Sequence, residues 1–192
     1  MGGGLENRPQ RNRLRRIHWG NKTDVIGHPF PYYIFLAGLV HLIGARHVIE
    51  LGTHHGGSTK ALAAGMGGEG RIITFDLKDE AKQLLVDYPS VEPHAMDANS
   101  EKALEICRSA ADQWDLVYID SQCDFFTTLV SFAIYGEFLR PLYAIMDDIA
   151  LNDGMREARD FIRGRHEAVD AADIVRDIRP SDVGFGLVRI GT

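Results

Sequence analysis

Short apolar runs alternating with helix-compatible stretches constrain this chain more than any other feature. Strand-like runs recur at His47–Leu51, Arg71–Phe75, Val91–Ala95, Leu116–Ile119, Tyr143–Met146, Ile174–Ile178 and Gly186–Ile190. A helix is expected over Tyr32–Ile43. Further helix-compatible stretches lie at Thr59–Gly65, Ala81–Asp87, Ser100–Ala111, Phe125–Phe138 and Gly154–Arg165. This alternation predicts an α/β fold, a mostly parallel sheet of about seven strands with helices on both faces. Leu116-Val-Tyr-Ile119 is almost wholly apolar, as a strand buried on both faces should be. The last two runs break the pattern. Only Arg179-Pro-Ser-Asp-Val-Gly184 separates them, so they are expected to pair as a C-terminal antiparallel hairpin at one edge.

The first connection carries chemistry. In Val48-Ile-Glu-Leu-Gly-Thr-His-His-Gly-Gly-Ser-Thr59 a β-branched run ends in an acid and a glycine turn that feeds a helix. Glycines let the backbone approach a ligand, and the free N–H groups of the helix start face it. Phosphate loops usually avoid a carboxylate there, whereas a ligand with an ammonium, a sulfonium or ribose hydroxyls can use Glu50. Glu50, Gly52, Thr53, His54, Gly56 and Ser58 are the candidate ligand-binding residues of this loop. A tight strand-to-helix connection is the plainer account. A dinucleotide fold is disfavoured, because Gly52-Thr-His-His-Gly-Gly57 has a His at the second glycine position of that fingerprint. Asp76 ends the second strand, where an acid can accept hydrogen bonds from both hydroxyls of a ribose. Asp97 follows the third strand, with an N-cap as its alternative role.

Acids also end the fourth and fifth strands, in Trp114-Asp-Leu-Val-Tyr-Ile-Asp120 and Ala144-Ile-Met-Asp-Asp-Ile149. Adjacent strands about 4.8 Å apart let Asp120, Asp147 and Asp148 converge on one oxygen-rich site. Crowded carboxylates repel one another unless a cation neutralises them. Hard oxygen donors favour Mg²⁺, with Mn²⁺ or Ca²⁺ as alternatives, over zinc. The competing account makes Asp148 a turn cap and the others solvated strand ends.

These motifs resemble class I S-adenosylmethionine-dependent methyltransferases, whose fold is a Rossmann-like sheet with a late antiparallel hairpin. Glu50-Leu-Gly-Thr-His-His-Gly-Gly-Ser-Thr59 is similar to the E-x-G-T-x-x-G-x-S-T loop of cation-dependent O-methyltransferases of the catechol and caffeoyl-CoA type. It also resembles the loop of the branch that includes cephalosporin-hydroxylase-like proteins. The similarity runs from about Pro31 to the C-terminus. It implies S-adenosylmethionine as cofactor, with the turn and Ser58 on its carboxylate, Asp76 on the ribose and Asp97 at the adenine amino group. That family carries an Asp after the fourth strand and an Asp-Asn pair after the fifth. The resemblance therefore implies Asp120, Asp147 and Asp148 as metal ligands, and Asp120 also as a catalytic and cofactor-contacting residue. The implied activity is O-methylation of a small hydroxylated molecule. A methyltransferase-like binder without transfer activity, or an N- or C-methyltransferase, is the alternative.

One position departs from the family. A Lys or His often stands three residues after the first metal Asp, whereas Ile119-Asp-Ser-Gln-Cys-Asp124 places Cys123 there. A thiol with an ordinary pKa of ~8.5 is mostly protonated at neutral pH and a poor base. Asp124, His54, His18 and His28 are the other candidates for that role, and inert packing is the other fate of Cys123.

Composition bounds the rest. A chain of 192 residues suits one domain, expected over residues 25–192 behind a basic, flexible arm at residues 1–24. The net charge of −6 argues against nucleic-acid binding, and the apolar segment Phe35–Ala45 is too short to span a membrane. Two cysteines and the lack of a secretory leader fit a cytoplasmic protein. With no large insertion before the terminal hairpin, the acceptor pocket is expected to draw on the arm or on the second subunit of a homodimer.

Overall fold

The computed structural model describes residues 30–171 and 184–191, with side chains from residue 33 onward. The arm at residues 1–24, His18, His28 and the run Ile174–Ile178 lie outside the described residues.

Seven strands form one sheet: β1 (His47–Leu51), β2 (Arg71–Asp76), β3 (Val91–Ala95), β4 (Leu116–Ile119), β5 (Tyr143–Asp147), β6 (Glu167–Asp170) and β7 (Phe185–Arg189). Their order is β3-β2-β1-β4-β5-β7-β6. The first five are parallel, with Val48 of β1 beside Ile72 of β2 and Leu116 of β4. β7 runs antiparallel to both its neighbours, as expected for the C-terminal edge. Its outer partner differs from the expected one: β6 is Glu167–Asp170 rather than the run at Ile174–Ile178. Glu167-Ala-Val-Asp170 has only two apolar residues and is half-exposed, so an edge strand of this kind leaves little pattern to read.

Side-chain alternation along the strands divides the core in two. Val48, Ile72, Leu116 and Ile145 pack against α1 (Phe30–Ile43) and α2 (Gly57–Gly65). Ile49, Ile73, Val117 and Met146 face the other way, toward α3 (Glu101–Ala110), α4 (Phe125–Ser131) and α5 (Asp153–Arg163). Both faces of the central strands β1, β2, β4 and β5 are thereby dry, as parallel sheets require. Ser100, Asp124 and Asn152 cap α3, α4 and α5, each accepting a backbone N–H of the first turn. The helix expected at Ala81–Asp87 is only a 3₁₀ turn, Gln83–Leu85. Seven residues are too few to offset helix nucleation, and only Ala81 and Leu85 of that stretch are buried. The stretch Phe125–Phe138 is α-helical to Ser131 and then winds as a π-helix over Phe132–Phe138. No helix among the described residues is long and apolar enough to cross a membrane.

Candidate functional site

The parallel strands end on one side of the sheet, and the loops that follow them enclose a cavity of about 460 Å³. Gly52, Thr53, His54 and Ser58 line it, as do Asp76, Asp97 and Asp120. Glu50 and Gly56, also expected to touch ligand, are not among its walls.

Glu50 falls outside the cavity for a geometric reason. It shares strand parity with Val48, so its side chain points beneath α2 rather than to the strand end. There it is wholly buried. Its Oε2 accepts hydrogen bonds from the Thr59 and Thr74 hydroxyls, both at 2.6 Å. Thr74 in turn shares a 2.6 Å bond with Thr53 of the loop. The carboxyl thus ties loop, helix and second strand together. Burial outweighs these bonds and raises its pKa to about 7. Ser58 also favours the charged form, but Oε1 has no well-directed hydrogen bond. Gly56 is the left-handed N-cap of α2, with φ 75°, and turns the chain into the helix.

Gly52 has φ +102°, and a Cβ there would overlap the carbonyl oxygen of Asp120. Only glycine lets the β1 loop press against the end of β4. Asp76 is held by two backbone donors, His54 N–H to Oδ2 at 2.8 Å and Lys78 N–H to Oδ1 at 3.0 Å. Each oxygen keeps acceptor capacity for a ligand. Asp97 Oδ1 accepts the Asn99 N–H at 2.8 Å, and Ser100 rather than Asp97 caps α3. His54, at φ 44°, has its pKa lowered by desolvation and then by His55, so its imidazole is neutral at neutral pH.

Asp120, Asp147 and Asp148 line the same cavity, but they do not form the expected trio. Donor atoms of Asp120, Cys123 and Asp148 lie within 4.8 Å of one another. Asp147 is not in that group; it is buried, its Oδ2 accepting the Tyr118 hydroxyl at 2.7 Å and its Oδ1 the Asp148 N–H at 2.9 Å. The chain turns left-handed at Asp148, φ 55°. Tyr118 had no signature in the sequence, because in Leu116-Val-Tyr-Ile119 the phenol reads as one more apolar residue.

Cys123 is not inert packing. Its Sγ donates to Asp148 Oδ2 at 3.4 Å. Burial, followed by Asp148, Asp120 and Asp147, pushes the thiol up to about 12, so it is no base. Asp124 spends Oδ1 on capping α4 and does not line the cavity. Of the base candidates among the described residues, His54 alone faces the cavity. The Oγ of Ser121, another lining residue, is buried without a hydrogen-bond partner.

Comparison with known proteins places this architecture. A protein of Mycolicibacterium smegmatis with the provisional name O-methyltransferase is 31% identical over 115 residues, 58% of this chain and 52% of that protein. The match thus spans about half of that relative's length. A cofactor-bound protein from MTB has the same fold, with a TM-score of 0.69 at 22% identity over 97% of this chain and 91% of that one. An O-methyltransferase from Bacillus cereus in complex with SAH superposes with a TM-score of 0.67 at 18% identity, over 97% and 92% of the two chains. The model of the O-methyltransferase family matches residues 12–155, beginning within the basic arm and taking in the loops after β1 to β5. This chain belongs to the O-methyltransferase family.

Proposed function

We propose that the protein transfers a methyl group from S-adenosylmethionine to the hydroxyl oxygen of a small molecule, with a divalent cation beside the acceptor. One observation carries this reading. A single cavity joins the glycine turn, Asp76 and Asp97 to Asp120 and Asp148, two members of a group of three donors within 4.8 Å of one another. Its volume is in the range of small-molecule sites.

S-Adenosylmethionine, when bound, supplies a methyl group activated by a sulfonium. The backbone N–H groups at the start of α2 and the Ser58 hydroxyl suit the carboxylate of its methionine part. Asp76 already has both oxygens oriented by backbone donors and is placed to accept ribose hydroxyls. Asp97 is assigned to the adenine amino group. Asp120 sits where the two halves meet, pressed against Gly52. The donor set at Asp120 and Asp148 fits a cation, since adjacent carboxylates need neutralising and Ser121 Oγ beside them lacks a partner. A divalent cation there supplies Lewis acidity toward the acceptor hydroxyl. The chain itself contributes orientation and charge complementarity. Two free cysteines accord with a cytoplasmic enzyme, and the arm or the second subunit of a homodimer is assigned to complete the acceptor pocket.

Titration calorimetry with S-adenosylmethionine and S-adenosylhomocysteine tests the reading. Both are expected to bind, and Asp76→Ala should weaken binding tenfold or more, about 1.4 kcal/mol. An absence of binding by the wild-type protein overturns the proposal. Product analysis with hydroxylated acceptors then checks that the methyl group lands on oxygen.

A further inference from the structure

We propose that Cys123 is itself a ligand of the cation site, and that the site prefers a thiophilic divalent metal of the Zn²⁺ and Co²⁺ class to Mg²⁺. This rests on the methyltransferase reading of the cavity but goes beyond it, because the all-oxygen trio of carboxylates is not what the fold assembles.

The donor set is decided by which atoms the fold brings together. Asp147 has one oxygen on the Tyr118 hydroxyl and the other on the Asp148 N–H. Tyr118 is fully buried, so that bond is shielded from water and holds Asp147 in place. Sulfur, not Asp147, stands in the cluster: the Cys123, Asp120 and Asp148 donor atoms lie within 4.8 Å of one another. Cys123 Sγ and Asp148 Oδ2, 3.4 Å apart, already stand at the spacing of two tetrahedral ligands of one ion, whose bonds run from about 2.0 to 2.3 Å for oxygen and sulfur. Ser121 supplies an independent sign of a missing partner. The residue lies in the loop between Asp120 and Cys123 and lines the same cavity, and its Oγ is buried with no hydrogen-bond partner. An uncompensated buried hydroxyl is costly, and a bound ion with its water would satisfy it.

Donor softness then selects the metal. Mg²⁺ demands oxygen ligands in octahedral array, whereas a thiolate with two carboxylates suits Zn²⁺ or Co²⁺. As the sulfur–metal bond forms, the S–H bond breaks and its proton passes to solvent; no electrons change hands.

The full chain, stripped with a chelator, is titrated with Co²⁺ and its absorption recorded. A near-ultraviolet sulfur-to-cobalt charge-transfer band is expected, bleached by Zn²⁺ and resistant to excess Mg²⁺. Cys123→Ser should abolish the band and weaken Zn²⁺ binding roughly tenfold or more, with little effect on Mg²⁺. A cobalt spectrum without the sulfur band, no cobalt binding, or ready displacement by Mg²⁺ overturns the assignment. The wild-type spectrum decides this even if the variant fails to fold. Calorimetry with S-adenosylhomocysteine on the same preparation separates the two ideas. Binding without a sulfur band sinks only the cysteine ligand, and a band without nucleoside binding sinks the methyltransferase reading.

Discussion

Glu50 shows how one residue can serve the cavity without touching it. Its carboxyl is the hub of a buried network of three threonines that fixes the loop, α2 and β2 together. The cost of that placement depends on pH. Below about pH 4.5 the group is protonated in both the folded and the unfolded chain, and its ionisation has no effect on stability. Between there and about pH 7 the unfolded chain releases a proton that the folded protein keeps, so stability falls as pH rises. The displacement from 4.5 to about 7 amounts to about 3 kcal/mol. Glu50→Gln keeps the shape and removes the ionisation. Relative to wild type, the variant should gain about 3 kcal/mol of stability on going from about pH 4 to about pH 8. Urea denaturation of both proteins at the two pH values measures it, and a difference unchanged by pH would show that Glu50 titrates normally.

At the scale of elements, caps connect stability to the site. Ser100 accepts the Ala103 N–H at 3.3 Å and donates its hydroxyl to the Asp97 carbonyl at 2.6 Å. Ser100→Ala should cost about 1 kcal/mol of stability. It should also weaken S-adenosylhomocysteine binding, because the Asp97 carbonyl loses one of the two hydrogen bonds that residue 100 gives it and keeps only the backbone one at 3.1 Å. Thermal unfolding and calorimetry on one sample check both, and a stability loss with unaltered affinity would detach Asp97 from the ligand. The elements most legible in the sequence were those that periodicity dictates. β1, β2, β4, β5 and β7 are largely apolar or β-branched runs, as strands buried on both faces must be, whereas β3, Val91-Glu-Pro-His-Ala95, is a half-exposed edge strand read from its place in the alternation. β6 was illegible because an exposed edge needs few apolar residues, and the 3₁₀ turn at Gln83–Leu85 because short helices depend on tertiary support. In the cavity, Gly52, Ser58, Asp76, Asp97 and Asp120 were readable from position at strand ends. The pairing of Tyr118 with Asp147, and the turn that sets Asp148 against Cys123, depend on χ angles and a positive φ that no spacing rule encodes.

Across the whole molecule the sheet divides the work. Loops after β1, β2 and β3 form the half of the cavity proposed for the nucleoside, loops after β4 and β5 form the acidic half, and the Gly52–Asp120 contact is the seam. Phe185 of β7 ties the acidic half to the rest of the fold. It is fully buried, meets Phe35 of α1 edge-on at 5.7 Å and lies 6.4 Å from Tyr118. An early helix, the last strand and the hydroxyl that holds Asp147 therefore share one side chain. Phe185→Ala should cost about 3–5 kcal/mol, the usual loss for an aromatic removed from a packed core. Phe185→Leu fills most of the space and should cost less. If the two halves are built independently, S-adenosylhomocysteine affinity of the still-folded variants should change by less than about 0.5 kcal/mol, as expected for sites without shared partners. Metal affinity should fall further, because Tyr118 loses its packing beside the Asp147 carboxylate. Denaturant unfolding ranks the variants, and calorimetry with nucleoside and with Co²⁺ gives the two affinities. Parallel losses of both would mean that the sheet transmits the defect through the seam, and that cofactor and cation sites form one cooperative unit.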